Sequence, residues 1–174
     1  MFAAIADPEW VLGEKSLSRM GLSEVPITKH LFSIACIVCG ALGTIPARAM
    51  MIHNRGANRL SGLLLLLGCL FLIGVALFPI DDSVDTCFHD VLAFLFFGSA
   101  LLAMMVSIVG DYLEGDRKMA LFTAVLVLTF FVSYFTTKFG VYEAIGVLAL
   151  MVWLITKSTR ELLNDEPYVQ AQAV

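Results

Sequence analysis

Five apolar segments, each long enough to cross a lipid bilayer as a helix, alternate with short charged loops in this chain of 174 residues. An apolar stretch of about 20 residues spans the roughly 30 Å hydrocarbon core. Within hydrocarbon, each backbone polar group must be satisfied inside its own segment, and a helix does this. The chain is therefore predicted to be all-α, a polytopic transmembrane bundle of five spanning helices. Their predicted ranges are A over 28–52, B over 60–80, C over 87–110, D over 119–137 and E over 141–157.

Composition supports one membrane domain rather than a soluble one. Hydrophobic residues make up 59% of the chain and the mean hydropathy is +0.88, which is more apolar material than a soluble domain of this length can bury. We expect the bundle to occupy residues 28–158. Residues 1–27, whose apolar runs are too short to span, are predicted to lie along the membrane interface. Residues 159–174 are predicted to form a polar cytoplasmic tail.

Basic residues are distributed unequally between the two sides of the predicted bundle, and this predicts its orientation. The loops A–B and C–D, together with the end of helix E, carry seven Lys or Arg, whereas the other two loops carry only Lys138. The positive-inside rule places the basic side in the cytoplasm. A multi-pass protein of the cell membrane is expected, with helix A starting outside and the C-terminus inside. An isoelectric point near 5.2 argues against a nucleic-acid partner.

Helix A contains a C-x-x-C pair and a row of small residues. Cys36 and Cys39 lie in the middle of the helix, where apolar surroundings oppose thiolate formation, so packing is favoured over redox or metal chemistry. Cys36, Gly40, Gly43 and Ala47 follow one another at helical spacing and form a stripe on one face. Such stripes allow the close approach of neighbouring helices in a membrane. Helix A is therefore expected to pack centrally.

An acidic segment, Phe78-Pro-Ile-Asp-Asp-Ser-Val-Asp-Thr-Cys-Phe-His-Asp90, separates helices B and C. Negative charge at a helix N-terminus contributes about 0.3–1 kcal/mol, so capping accounts for one or two of these acids. If helix C begins near Asp82, then Asp82, Asp85 and His89 share one face. Asp85 and His89 also have the i, i+4 spacing of helical metal ligands. A structural polar network and a functional site are both compatible with this pattern.

Glu143, at the start of helix E, is a second acid at the same predicted outer boundary, and Lys138 is the natural counter-charge for Asp85, Asp90 or Glu143. We expect Asp81, Asp82, His89 and Glu143 to share one cluster. The catalytic candidates are His89, Asp90 and Glu143, with no reaction defined, and the question of enzymatic activity stays open. A divalent cation would be held by Asp82, Asp85, His89 and Glu143, because carboxylates suit a hard cation. The ligand-binding candidates are Asp81, Asp82, Asp85, His89, Glu143, Lys138, Ser16 and Ser18.

Three short motifs together resemble a known family. Lys15-Ser-Leu-Ser-Arg-Met-Gly21, Phe78-Pro79-x-Asp81 and His89-Asp90 are similar to an uncharacterised family of prokaryotic polytopic membrane proteins, the domain of unknown function 998 (DUF998), over roughly residues 16–153. Members usually have six helices, the first of which precedes the Ser-Leu-Ser loop. Few residues precede Ser16, so a truncated first helix or a five-helix version is expected. The resemblance implies a loose relation to eukaryotic membrane proteins of lipid handling and no established reaction.

The absence of the common enzyme motifs leaves three functions open. The chain has no G-x-S-x-G, H-E-x-x-H or Walker motif, which removes support for serine hydrolase, zincin and nucleotide-driven chemistry. The favoured function is binding or handling of a lipid headgroup at the outer face. The alternatives are a non-catalytic accessory subunit of a larger membrane complex and, third, a small-solute transporter. Expected partners are membrane lipids and either further copies of this chain or other membrane subunits.

Overall fold

The computed structural model of the protein describes Leu17, residues 25–78 and residues 87–171. All regular structure within these ranges is helical, and each of the five long helices is apolar enough to cross a membrane. The predicted all-α transmembrane fold is confirmed. The helices are α1 (Pro26–His53), α2 (Gly56–Leu77), α3 (Cys87–Leu113), α4 (Arg117–Thr136) and α5 (Phe139–Ala171).

The helices match the predicted segments in the middle and differ at their ends. The α3 helix continues through Leu113, past the predicted end at Gly110, and α5 continues to Ala171, past Lys157. Hydropathy marks where the apolar part of a helix stops, whereas a helix can extend into the polar interface, where its charged side chains are solvated. Apart from Leu17 and residues 25–27, the predicted interfacial segment lies outside the described residues. The cytoplasmic position of residues 159–174 stays a prediction.

Consecutive helices pack side by side, and α3 also contacts α5. The small-residue stripe of α1 lies directly on α2: a Cβ added at Gly40 would lie 2.9 Å from the Cys69 carbonyl oxygen, and one at Gly43 would lie 2.7 Å from the Cys69 sulfur. The predicted close packing is present. The central position expected for helix A is wrong, because only 17% of its spanning window is buried, against 39% for α2. A small-residue stripe indicates close contact with one neighbouring helix, but it does not show how many helices surround the one that carries it.

Large apolar side chains cover the outside of the bundle. Ile45, Phe94 and Phe135 are 66%, 77% and 79% exposed. A soluble monomer rarely exposes contiguous apolar surface on this scale, and hydrocarbon is the solvent that suits it. The interior is closed by residues such as Met50, Met119 and Trp153, each at most 2% exposed.

The bundle has two ends, named here by one buried residue each. Because successive helices run antiparallel, the starts of α1, α3 and α5 and the ends of α2 and α4 lie at the His89 end. The opposite Lys157 end holds the α1–α2 and α3–α4 connections. The sequence predicts the His89 end outside the cell and the Lys157 end in the cytoplasm.

Candidate functional site

His89 lies in the first turn of α3 and is only 2% exposed. Its Nδ1 atom is 2.9 Å from the carbonyl oxygen of Phe78, at the end of α2. A carbonyl oxygen can only accept, so Nδ1 carries the hydrogen of this bond, and in the neutral ring Nε2 is then an acceptor. Nε2 is buried and has no hydrogen-bond partner among the described residues. In the neutral ring, Nδ1 is thus bonded to Phe78 and Nε2 can accept a hydrogen bond.

Two further helices bring a buried polar side chain to the same end. Thr28, in the first turn of α1, is 0% exposed, and its hydroxyl oxygen also lacks a hydrogen-bond partner within the described ranges. Glu143, near the start of α5, is 8% exposed and accepts the backbone N–H of Leu17 at 2.6 Å. The great majority of buried polar atoms have partners. Two unsatisfied ones at one end of a bundle mark that end as the candidate site.

The hydrogen bond between Leu17 and Glu143 places Leu17 against α5. Ser16 and Ser18, the flanking candidates, lie outside the described residues. The same holds for Asp81, Asp82 and Asp85, so the single cluster expected from the sequence stays a prediction for them.

The other outer-boundary candidates are not buried. Asp90 and Lys138 are exposed, and neither forms an ion pair with another residue in the described part of the chain. Lys138 is therefore not the counter-charge of Asp90 or Glu143 that the sequence suggested, because an exposed lysine at an aqueous boundary is better solvated by water. No group of three or more His, Cys, Asp or Glu within the described residues could hold a metal ion. Asp82 and Asp85 lie outside those residues, so the expected cation stays a prediction.

The Lys157 end contains a second polar cluster, which sequence reasoning missed. We call Asn58, Ser107, Asp111 and Lys157 the Asp111 cluster. Asn58, Asp111 and Lys157 are 0%, 3% and 6% exposed. The Lys157 ammonium forms an ion pair with the Asp111 carboxylate and lies 3.4 Å from the Asn58 side-chain oxygen. Ser107 donates to Asp111 at 3.2 Å, and the Asn58 amide nitrogen donates to Asp111 at 3.1 Å.

Three helices supply the Asp111 cluster, and close packing brings them together. Ser107 and Asp111 are one turn apart on α3, Asn58 lies in the first turn of α2, and Lys157 comes from α5. Gly110 makes the approach of α2 possible, because a Cβ there would lie 2.6 Å from the Asn58 side-chain oxygen and 2.9 Å from its backbone nitrogen. The polar groups of the cluster satisfy one another. The arrangement is that of a structural lock between three helix ends.

The sequence contains a signal for this cluster. A helix C that ends at Gly110 puts Asp111 in a loop, where an acid needs no partner, and Lys157 belongs to the basic residues that predict the orientation of the bundle. An acid one turn after Ser107 and a lysine within the last apolar turn of helix E, both at the same predicted end, would have indicated a buried pair.

The described residues form five helices that are long and apolar enough to cross a membrane, with an apolar exterior and buried polar groups at both ends. These features define a polytopic integral membrane protein. A family model described as a protein of unknown function, DUF998, matches residues 1–160. The chain belongs to this family, which confirms the resemblance seen in the sequence. No curated protein and no solved structure matches the chain.

Proposed function

We propose that the protein binds the headgroup of a membrane lipid at the His89 end, and that the headgroup carries an N–H or O–H donor. The observation that supports this most directly is His89 itself, buried, anchored through Nδ1 to Phe78, and with no partner on Nε2 among the described residues. A buried acceptor without a partner costs about 1–3 kcal/mol, so a bound donor would recover that cost.

The charge at this end favours a cationic donor. Glu143 is a buried carboxylate at the same end of the bundle, and the segment from Asp81 to Asp90 adds further acids in the sequence. The primary ammonium of an ethanolamine headgroup combines positive charge with N–H donors. The quaternary ammonium of choline has the charge but no N–H. We therefore expect phosphatidylethanolamine to bind in preference to phosphatidylcholine.

A divalent cation is the second candidate ligand. The described residues alone contain no group of three or more metal ligands, so Asp82 and Asp85 would complete its coordination. Histidines that bind metals commonly donate their other ring N–H to a carbonyl or carboxylate, as His89 does to Phe78. Two outcomes distinguish these ligands. If the site binds a metal, the purified protein retains the metal and shows no lipid preference. If the site binds a headgroup, the purified protein retains lipid and contains no stoichiometric metal.

Native mass spectrometry in mild detergent tests the proposal. The wild-type protein, purified and mixed with equal amounts of phosphatidylethanolamine and phosphatidylcholine, is expected to retain phosphatidylethanolamine. His89→Ala should lose this preference. His53→Ala is the matched control, because His53 is exposed and lies at the opposite end. Equal retention of both lipids by the wild type, or an unchanged preference in His89→Ala, would contradict the proposal. Fixed-ratio copurification with other subunits would instead favour the accessory-subunit function.

The sidedness of the site rests on the distribution of basic residues. We place the His89 end outside the cell, in the outer leaflet. Cys87 is an exposed free cysteine at this end, so a membrane-impermeant maleimide should label it in intact cells. With Cys87 replaced by serine, a cysteine introduced at the exposed His53 should be labelled only after the cells are broken. The reverse pattern would move the site to the inner leaflet.

A further inference from the structure

Three arginines lie at the connection between α1 and α2, at the Lys157 end. Arg48, Arg55 and Arg59, which we call the arginine patch, are all exposed. Arg55 is the N-cap residue of α2, and its carbonyl oxygen accepts the backbone N–H of Arg59 at 3.4 Å. Arg48 precedes His53, the last residue of α1, by about 8 Å along the helix axis. The patch therefore combines one residue of the connection with two residues inside helices.

The packing of α1 on α2 holds Arg48 and Arg59 beside the same helix contact. A Cβ added at Gly62 would lie 2.9 Å from the Ala47 carbonyl oxygen, so the two helices touch at these residues. Arg48 follows Ala47 directly, and Arg59 precedes Gly62 by one turn. Because both arginine side chains are long and neither is packed in the interior, the two guanidinium groups can approach one ligand.

Arg48 lies on a face of α1 that is directed to lipid. Ile45 and Ile52, one turn to either side of it, are 66% and 70% exposed. Beside hydrocarbon, an arginine stays charged by extending its guanidinium toward the headgroups while its methylenes remain among apolar chains. Membrane orientation requires only that basic residues lie on this side of the bundle, and it does not explain an arginine between two exposed isoleucines. A phosphate at the headgroup level would account for that position.

Arg59 is directed away from the neighbouring helix α3. Ser61 faces α3, where it donates to the Ala103 carbonyl oxygen at 2.7 Å. Arg59 lies about 160° from Ser61 around the axis of α2, at 3.6 residues per turn. Leu63, one turn after Arg59, is 41% exposed. A ligand of this arginine therefore lies outside the bundle, at its lipid-facing surface.

No carboxylate in the described part of the chain pairs with the arginine patch. The sequence from Pro26 to Ile80 contains no Asp or Glu, and neither ion pair within the described residues involves the patch. Glu114 is an acid that contacts α2, where its carboxylate accepts from the Asn58 amide at 2.9 Å. Asn58 belongs to the Asp111 cluster, on the side of α2 that meets α3. The positive charge of the patch is therefore available to an external anion.

The chemistry of the patch favours a phosphate. The planar guanidinium donates two parallel hydrogen bonds to phosphate oxygens, and basic residues beside a membrane attract anionic lipids. We propose that the arginine patch binds the phosphate of an anionic phospholipid such as phosphatidylglycerol, in the leaflet opposite to that of the His89 end. In phosphatidylcholine the ammonium neutralises the phosphate, so this lipid should bind more weakly. The patch is separate from the headgroup site at the His89 end and does not depend on it.

Native mass spectrometry in mild detergent, with equal amounts of phosphatidylglycerol and phosphatidylcholine, tests the proposal. The double variant Arg48→Gln with Arg59→Gln is compared with Arg117→Gln with Lys118→Gln. The control also removes two exposed positive charges at the Lys157 end, but at the start of α4, next to Asp116. The wild type is expected to retain phosphatidylglycerol. A juxtamembrane basic residue contributes about fivefold to the binding of an anionic lipid, so the patch variant should lose about 25-fold of the preference and the control should keep most of it.

Four results would overturn the proposal. Equal losses in the two double variants would mean that any positive charge at this end attracts the lipid. An unchanged preference in the patch variant would show that the arginines do not bind it, and equal retention of both lipids by the wild type would show that no preference exists. Displacement of phosphatidylglycerol by excess inorganic phosphate would assign the patch to a free anion.

Removing two positive charges also weakens the signal that orients the bundle. Cys87 in the patch variant should therefore be labelled by a membrane-impermeant maleimide in intact cells to the same extent as in the wild type. If it is not, the single variants Arg48→Gln and Arg59→Gln replace the double variant, each with an expected loss of about fivefold.

The patch and the His89 end can be tested independently. His89→Ala should leave the preference for phosphatidylglycerol unchanged, because His89 lies at the opposite end of the bundle. The patch variant should likewise keep the preference for phosphatidylethanolamine over phosphatidylcholine. Loss of the phosphatidylglycerol preference in His89→Ala would overturn a separate anionic-lipid site at the patch.

Discussion

Replacing Lys157 with methionine tests the Asp111 cluster as a structural lock. The substitution keeps most of the side-chain volume and removes the ammonium that pairs with Asp111. Both residues are more than nine-tenths buried, so water cannot replace the lost partner. Removing one member of a buried ion pair typically costs about 3–5 kcal/mol, because the remaining charge is uncompensated. The Asp111 carboxylate would keep its bonds from Ser107 and Asn58, which places the expected loss toward the lower end of that range.

The double variant Asp111→Asn with Lys157→Met separates the charge from the packing. It removes both charges and leaves a neutral amide that can still accept from Ser107. Replacing a buried pair by neutral residues of similar volume is often nearly neutral for stability, so the double variant should be more stable than Lys157→Met alone. A double-mutant cycle with Asp111→Asn measures the coupling.

Reversible unfolding in mixed micelles of a mild detergent and dodecyl sulfate, followed by far-ultraviolet circular dichroism, gives the free energies. Lys138→Met is the control, since Lys138 is exposed and makes no ion pair within the described residues. Its effect should stay within about 0.5 kcal/mol. If Lys157→Met is no less stable than Lys138→Met, or if the double variant is the least stable of the set, the cluster is not a charge-paired lock.

Two further changes test the packing at the same end. Gly110→Ala should destabilise by about 1–3 kcal/mol, because its Cβ would lie 2.6 Å from the Asn58 side-chain oxygen, whereas Gly98→Ala should be neutral or stabilising in the same unfolding assay, and equal effects would refute the close approach. Arg160→Gln removes the half-exposed pair with Asp116, which is formed at 2.8 Å, and should cost only about 0.2–1 kcal/mol. That loss should shrink when unfolding is repeated at high salt, and an effect that is independent of salt would contradict a surface ion pair.

The fold was predictable because hydrocarbon imposes so few choices. Each apolar run had to be a helix, and alternation with charged loops gave the order of the spans. Helix ends were less predictable, because a helix can continue beyond the apolar segment from which it is predicted. The predicted end of helix C at Gly110 is three residues too early, since the helix continues to Leu113. Asp111 was therefore not predicted to lie in a helix, and the polar cluster that it forms with Asn58, Ser107 and Lys157 was not predicted.

The candidate site was predictable in part. A histidine between acids at a membrane boundary pointed to His89, and Glu143 followed from its place at the start of a span; both are buried at the same end. Asp111 and Asp90 are each an acid within a turn of a helix end, so this position alone does not predict that Asp111 is buried and Asp90 is exposed. What differs is the tertiary neighbour: Asp111 meets Lys157 from a helix far along the chain, and Asp90 faces outward.

Nitrogen-15 nuclear magnetic resonance of the histidine side chains measures directly whether Nε2 of His89 accepts a hydrogen bond from a lipid headgroup. His89 is one of three histidines, and its signals are assigned by their absence in His89→Gln. We expect the proton of the ring on Nδ1, and an Nε2 resonance that shifts when phosphatidylethanolamine is added but stays in place with phosphatidylcholine. An Nε2 signal that responds equally to both lipids or to neither, or a neutral ring with its proton on Nε2, would contradict it.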